Sequence, residues 1–139
     1  FPGETEEAFG RLMDFVEEQR FDRVGVFTYS REENTPAYDM ALQVTEKVKR
    51  ERRARLMERQ AEISLRRNSA LVGTEMEVLV EGPMRGRVTR MRGRTSRQAP
   101  EIDGMIRLRG EAEPGEFVRA KIVRALTYDL VGDIAGAVA

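Results

Sequence analysis

Two stretches of the sequence carry side chains able to bind or react. The first is Ser30 to Pro36, a polar run ending in Thr35-Pro36, which follows the β-branched and aromatic residues Val24 to Tyr29. A polar loop at the carboxyl end of a buried parallel strand is where α/β folds hold their ligands. The second is the series Arg85, Arg87, Arg90, Arg92, Arg94 and Arg97, uninterrupted by any acid and followed by Glu101 and Asp103. Guanidinium groups at that density suit phosphates or an acidic protein face, and they read equally as solvated arginines on a strand pair. What is missing narrows the chemistry further. With no cysteine and no histidine among 139 residues, the chain has no disulfide, thiolate nucleophile, imidazole base or usual zinc ligand, and it cannot hold an iron–sulfur cluster by itself.

The net charge is zero, so no global field draws the chain to nucleic acid. The distribution is uneven: residues 1–44 carry 4 basic and 10 acidic side chains, residues 45–69 carry 9 and 4, and residues 70–139 carry 11 and 10. The middle segment is the basic one. No run approaches roughly 18 apolar residues and no signal peptide is visible, so a soluble cytoplasmic protein without a membrane partner is expected. The opening Phe1-Pro2-Gly3, without a methionine and placed at a strand-to-helix turn, suggests the carboxyl-terminal part of something longer.

The elements that must position these residues follow from periodicity. Thr5 is suited to cap a helix whose first turn holds Glu6 and Glu7, with Glu4 as a further capping carboxylate. Phe9, Leu12, Met13 and Val16 then form one apolar face, widened by Phe15, and the helix gives way near Arg20. Val24 to Tyr29 reads as a buried strand of a parallel sheet, with Val26 and Thr28 aimed one way and Phe27 and Tyr29 the other. One such turn, helix and strand is a single step of an α/β fold and cannot fold alone, because its strand needs neighbours on both edges. After an irregular stretch from Ala37 to Val44, Thr45 caps a long helix reaching about Ser69. That helix reads as a solvated linker, or alternatively a nucleic-acid-binding arm. Its apolar residues Val48, Leu56, Met57, Ile63 and Leu65 are sparse, while Glu46 with Arg50, Glu51 with Arg55 and Glu62 with Arg66 have favourable i, i+4 spacing.

From Gly73 the period changes from helical to alternating. Met76, Val78 and Val80 face one side of a half-buried strand and Glu75, Glu77 and Glu81 the other. Gly82-Pro83 is expected to turn the chain, with further strands over 86–93, 104–108, 117–123 and 128–132, and a turn at Pro114-Gly115. Five short strands of this kind suit a small closed barrel of the OB type. Phe117 and Tyr128 fall in strand patterns suited to the core. The segment from Thr95 to Gly104 is expected to be a loop entering the third strand, with Ile102 turned inward and Glu101 and Asp103 outside.

Two groups of motifs carry a family resemblance. Phe1 to Thr5 (FPGET) and Val24 to Ala37 (VGVFTYSREENTPA) resemble the last helix turn, strand and loop of the radical S-adenosylmethionine domain of bacterial methylthiotransferases. Leu71-Val72-Gly73-Thr74, Pro114-Gly115-Glu116-Phe117-Val118 and Tyr128-Asp129-Leu130-Val131-Gly132 are similar to the TRAM domain appended to those enzymes. The transfer-RNA branch tends to read FKYSPRPGTPA at the first loop. Phe27 to Glu32, and Gly93 to Gly104 against GRSxxDAPEIDG, are instead similar to the branch that modifies a ribosomal protein, the RimO type. Asn34 stands where both branches usually have Gly, and Gln98 where the second usually has Asp.

The resemblance implies three regions: 1–44 as the end of a radical S-adenosylmethionine domain, 45–69 as a linker helix and 70–139 as a TRAM domain. The fold class is accordingly an α/β carboxyl-terminal piece of a partial barrel, a long helix and an all-β five-stranded OB-like barrel. It implies a transferase that uses S-adenosylmethionine and two 4Fe-4S clusters to methylthiolate an aspartate of small-subunit ribosomal protein number twelve. The cluster cysteines would lie upstream, so this chain alone should be inactive and hold no metal and no catalytic residue. Val26, Phe27 and Tyr29 are the candidates to contact the cofactor, and Arg92, Arg94, Glu101 and Asp103 to bind the ribosomal protein or the ribosome, with RNA a further partner. A transfer-RNA methylthiotransferase and a non-enzymatic RNA-binding module are the alternatives.

Overall fold

The computed structural model describes residues 1–84 and 87–137, without the side chains of residues 87–89, so Arg85, Gly86 and the Arg87 side chain lie outside the described residues. The chain forms two compact units, residues 1–63 and 64–139.

In the first unit, helix α1 spans Glu6–Gln19. Its cap is the expected one: Thr5 Oγ1 accepts from the Ala8 amide at 3.1 Å, with Glu6 and Glu7 in the first turn. Arg20 ends it in the left-handed conformation, its amide donating to the Val16 carbonyl. Glu4 does not cap. Its carboxylate instead accepts from Arg52 at 2.7 Å, and the same guanidinium group reaches the Glu4 carbonyl at 2.9 Å. Of the apolar face, Phe9 and Val16 are buried whereas Leu12 and Phe15 remain exposed.

The expected buried strand at Val24 to Tyr29 does not form. These residues belong to no helix or strand, none is buried, and Phe27 is 93% exposed. A lone strand without a paired neighbour leaves its backbone groups unmet, and among the described residues no strand pairs with this segment. The loop after it is locally built: the Arg31 side chain donates to the Tyr38 carbonyl at 2.8 Å, and Gln43 donates to the Ala37 and Met40 carbonyls at 3.0 Å each. Asn34 has φ 63°, the left-handed region that Gly adopts freely and that Asn tolerates better than other side chains.

Helix α2 spans Glu46–Ser69 and is not the solvated rod its composition suggests. Lys49, Arg52, Leu56, Gln60, Ile63, Ser64 and Asn68 are all buried and, apart from the adjacent Ile63 and Ser64, recur every three or four residues, which places them on one face. Five of the seven are polar, so hydrophobic periodicity misses the face. Their heads end on backbone carbonyls: in the first unit Lys49 on Tyr29 at 2.8 Å and Gln60 on Phe21 at 2.9 Å, in the second Ser64 on Thr127 at 2.7 Å and Asn68 on Leu126 at 2.9 Å. Two of the anticipated pairings are redirected, since Glu46 engages Lys49 at 2.6 Å and Arg55 engages Glu6 at 2.6 Å. The Arg55 guanidinium holds the Glu6 carboxyl below the usual range.

The second unit contains strands β1 (Glu75–Met84), β2 (Arg87–Arg94), β3 (Ile106–Arg109), β4 (Phe117–Ala125) and β5 (Leu130–Ala137). They close into a barrel in the order β1-β2-β3-β5-β4, antiparallel except for the parallel pair β3 and β5. The core is one cluster of Val78, Val80, Met91, Ile106, Leu108, Val118, Ala120, Ile122 and Leu130. Full burial of each larger aliphatic side chain among them contributes about 1.5–3 kcal/mol. Gly82-Pro83 is not a turn. Both residues lie within β1, where the register to β2 shifts and Gly82 has φ 148°, so they form an irregularity that bends a continuous strand.

Candidate functional site

Residues 95–105, between β2 and β3, fold into a ridge held by its own polar side chains. Buried Gln98 is central: its Oε1 accepts from the Thr95 amide at 3.0 Å and its Nε2 donates to the Gly104 carbonyl at 2.5 Å. The Asp103 carboxylate accepts from the Ala99 amide at 2.8 Å, while the Asp103 amide donates back to the Ala99 carbonyl at 3.2 Å. Asp103 therefore builds the loop rather than standing free outside it. Ile102 does not turn inward but is 86% exposed. The reason is Glu101, whose φ of 61° reverses the backbone just before it and breaks the alternation on which the inward reading relied.

The base of the ridge is fixed by Asp129, the residue just before β5. One carboxylate oxygen accepts from the Met105 amide at 3.0 Å and the other from Arg107 at 3.0 and 2.5 Å. Gly104 passes so close to this connection that a Cβ would lie 1.8 Å from the Tyr128 carbonyl oxygen. Neither Gln98 nor Asp129 is marked as a structural residue by composition or period. An amide four residues after one strand, and an acid one residue before another, were the available signals.

Beside the ridge lies an open groove of about 370 Å³ lined by Glu81, Arg92, Arg94, Ala99, Pro100, Glu101, Asp103, Gly104 and Met105. All four residues expected to bind the protein partner, Arg92, Arg94, Glu101 and Asp103, are thus brought together. They are not equivalent. Arg94 is engaged by Glu81 at 3.0 Å, whereas Arg92 and Glu101 are exposed and make no ion pair among the described residues.

Arg92 also belongs to an array on the outer faces of β2 and β3. There Arg90 stands opposite Arg109 and Arg92 opposite Arg107. Like charges directly opposed across strands repel, and two acids at and just before β5 relieve half of them: Asp129 takes Arg107, and Asp133 takes Arg109 through two hydrogen bonds. The Arg109 guanidinium holds the Asp133 carboxyl below the usual range, and the guanidinium in turn is pushed up. Arg90 and Arg92 are left without an acid among the described residues. The aromatic residues differ from expectation as well, for Phe117 is 51% and Tyr128 40% exposed rather than in the core.

Within the first unit, Val26, Phe27 and Tyr29 share a smaller apolar hollow with Phe1, Glu4, Phe9, Lys49 and Arg52. The Val26 carbonyl accepts from Arg53 at 3.0 Å and the Tyr29 carbonyl from Lys49 at 2.8 Å, so the helix anchors this segment at two points. The Phe1 ring packs edge-on against Tyr29 at 5.3 Å, and the buried Tyr29 hydroxyl has no hydrogen-bond partner among the described residues. Among the described residues no group of histidine, cysteine or carboxylate side chains is arranged to hold a metal ion, and no helix is long and apolar enough to cross a membrane.

Residues 72–135 match the TRAM domain family model. Over 135 residues the chain is 53% identical to the ribosomal protein uS12 methylthiotransferase RimO of Geobacter sulfurreducens, covering 96% of this chain and 30% of the relative. It is similarly 53% identical over 134 residues to the protein of that name from an Anaeromyxobacter species, covering 96% of this chain and 28% of the relative. A third, from Desulforamulus reducens, is 50% identical over 137 residues and is covered to 31%. The chain therefore spans about 30% of the length of these curated relatives.

Proposed function

Since the chain corresponds to the carboxyl-terminal, TRAM-bearing part of methylthiotransferases of the RimO type, we propose that it recruits a ribosomal protein for methylthiolation by a complete enzyme. In this reading the groove beside the 95–105 ridge takes the protein substrate through Arg92, Arg94, Glu101 and Asp103. The observation that supports it is the convergence of these four residues, two of each charge, on one open groove. Opposite charges held a few residues apart on a rigid ridge select a partner by complementary pairing and penalise wrong partners.

Residues 1–44 supply the end of the radical S-adenosylmethionine barrel, and the helix over 45–69 links it to the TRAM domain. The missing strand pairing at Val24 to Tyr29 is what such a piece shows without its neighbouring strands. S-adenosylmethionine, with two 4Fe-4S clusters, would supply the radical that activates an unreactive carbon of an aspartate. The sequence contains no cysteine, so the clusters do not fit this chain, and residues 1–139 are expected to be inactive alone. The cofactor's nucleoside fits better. The exposed Phe27 ring offers a flat apolar face, the Tyr29 hydroxyl an unfilled hydrogen bond, and Val26 a backbone edge held by Arg53.

The test uses the complete enzyme with Arg92→Ala and Glu101→Ala together, because neither side chain supports the fold. KM for the ribosomal protein should rise about tenfold with kcat kept, as expected when binding is lost equally from ground and transition states. An unchanged KM removes the recruiting role. One observation favours an RNA contact in addition: among the described residues Arg90 and Arg92 have no acidic partner on a face that OB barrels use for nucleic acid. That contact would weaken steeply with salt through counterion release.

A further inference from the structure

The barrel is closed, yet one edge within it is open. β1 pairs with β2 only from Leu79 onward, where Leu79 faces Arg94, whereas it pairs with β4 from Glu75 to Leu79. Residues 75–78 therefore have a neighbour on one side alone, because the chain leaves the sheet after Arg94 to build the 95–105 ridge. Which backbone groups are left follows from the ladder. The Val80 amide donates to Glu116 and the Ile122 amide to Thr74, so by alternation Met76 and Val78 bond towards β4, and the amides and carbonyls of Glu75 and Glu77 point the other way. They have no partner among the described residues.

An open groove of about 460 Å³ lies along this edge, lined by Glu75, Met76, Glu77, Leu79, Phe117 and the ridge residues 94–97. It is distinct from the groove carrying Arg92, Glu101 and Asp103, with the ridge between them and Arg94 common to both. Its chemistry is specific. Glu75 and Glu77 project outward, exposed and without an ion pair among the described residues, including with their cross-strand neighbours Lys121 and Arg119. Leu79 sits opposite Phe117, whose ring is half exposed, giving an apolar patch at one end. The arginines bordering the groove are already engaged, Arg94 by Glu81 and Arg97 within the chain.

We infer that the β1 edge at residues 75–79 is a strand-addition site for an extended, basic segment of a protein partner. Such a segment would continue the sheet where β2 leaves it, its backbone bonding to Glu75 and Glu77. Alternate side chains would then fall beside the two carboxylates and the Leu79–Phe117 patch. Carboxylates at two successive outward positions oppose a phosphate backbone, which selects polypeptide over RNA. Identifying the partner as the methylthiolation substrate rests on the recruiting reading above; the edge itself does not.

The probe is a labelled peptide of roughly nine residues alternating lysine and valine, titrated against the 139-residue chain by fluorescence anisotropy. Saturable binding is expected. It should weaken about tenfold when alternate peptide amides are N-methylated, and similarly with Glu75→Gln and Glu77→Gln together or with Glu77→Pro. Proline at 77 removes only an amide that points away from β4, so the barrel keeps its own hydrogen bonds. If Glu77→Pro fails to fold by circular dichroism, the methylated peptide against the unaltered chain decides the matter. Equal binding of the methylated peptide overturns the proposal. So does tighter binding of a glutamate–valine peptide or of oligouridylate. An unchanged KM for Arg92→Ala with Glu101→Ala would remove the recruiting reading and leave the edge standing, so the two can fail separately.

Discussion

Replacing Gly104 by alanine tests whether the ridge and the β5 connection are as tightly joined as the geometry requires. The added methyl carbon would lie 1.8 Å from the Tyr128 carbonyl oxygen, 2.6 Å from its carbon and 2.9 Å from Asp129 Oδ1. The two nearest of these are backbone atoms, so the backbone must part. Parting strains the hydrogen bonds flanking the position, Met105 amide to Asp129 at 3.0 Å and Leu130 amide to the Met105 carbonyl at 3.0 Å. Two lost hydrogen bonds at about 1 kcal/mol each, with overpacking of about 1–3 kcal/mol, give a destabilisation of about 3–5 kcal/mol. Urea unfolding of the 139-residue chain, followed by circular dichroism, measures it. Gly10→Ala is the control: that site lies within α1 with nothing within 4 Å of the new Cβ, and alanine there should stabilise by about 0.5–1 kcal/mol. A loss below about 1 kcal/mol at Gly104 would refute the argument, because that is the scale of an ordinary surface substitution.

Gln98→Ala should cost about 2–3 kcal/mol in the same assay, since it leaves the buried Thr95 amide and the Gly104 carbonyl without partners; a loss within the error of the measurement would show that water replaces the side chain. Asn34→Gly should stabilise the chain by up to about 1 kcal/mol by relieving φ 63°, and a lower unfolding midpoint would contradict this. Acid should weaken the barrel in part through Asp133, whose pKa is lowered by the hydrogen bond from Arg109. A depressed folded-state pKa contributes stability above the unfolded carboxylate value and loses it as pH falls through the folded value. Asp133→Asn should therefore be less stable than the parent at about pH 7 and approach it by about pH 3, checked by urea midpoints at both.

Much of the architecture is legible from local chemistry. Thr5 caps α1 because a hydroxyl meets an orphan amide, Thr45 precedes α2, and the alternation of Met76, Val78 and Val80 sets which face of β1 is inside. The motif runs at both ends of the chain name the family because they are contiguous stretches of sequence. The convergence of the candidate residues on one groove was legible to the same degree. Arg92, Arg94, Glu101 and Asp103 lie close in sequence, and a short loop between paired strands brings them together with few degrees of freedom.

What only the tertiary structure decided depends on partners distant in the chain. Val24 to Tyr29 has the composition of a buried strand, yet composition cannot provide the neighbouring strands that would pair it, and Phe27 is left in solvent. The buried face of α2 is polar because its side chains end on carbonyls of Tyr29, Phe21 and Thr127, which no periodicity of apolar residues can reveal. Ile102 faces outward because one left-handed residue, Glu101, resets the alternation, and Asp103 is drawn into the loop by the Ala99 amide. The free edge of β1 exists because β2 departs at Arg94 while β4 continues. That difference in pairing length is a property of the closed sheet, and no single strand's sequence contains it.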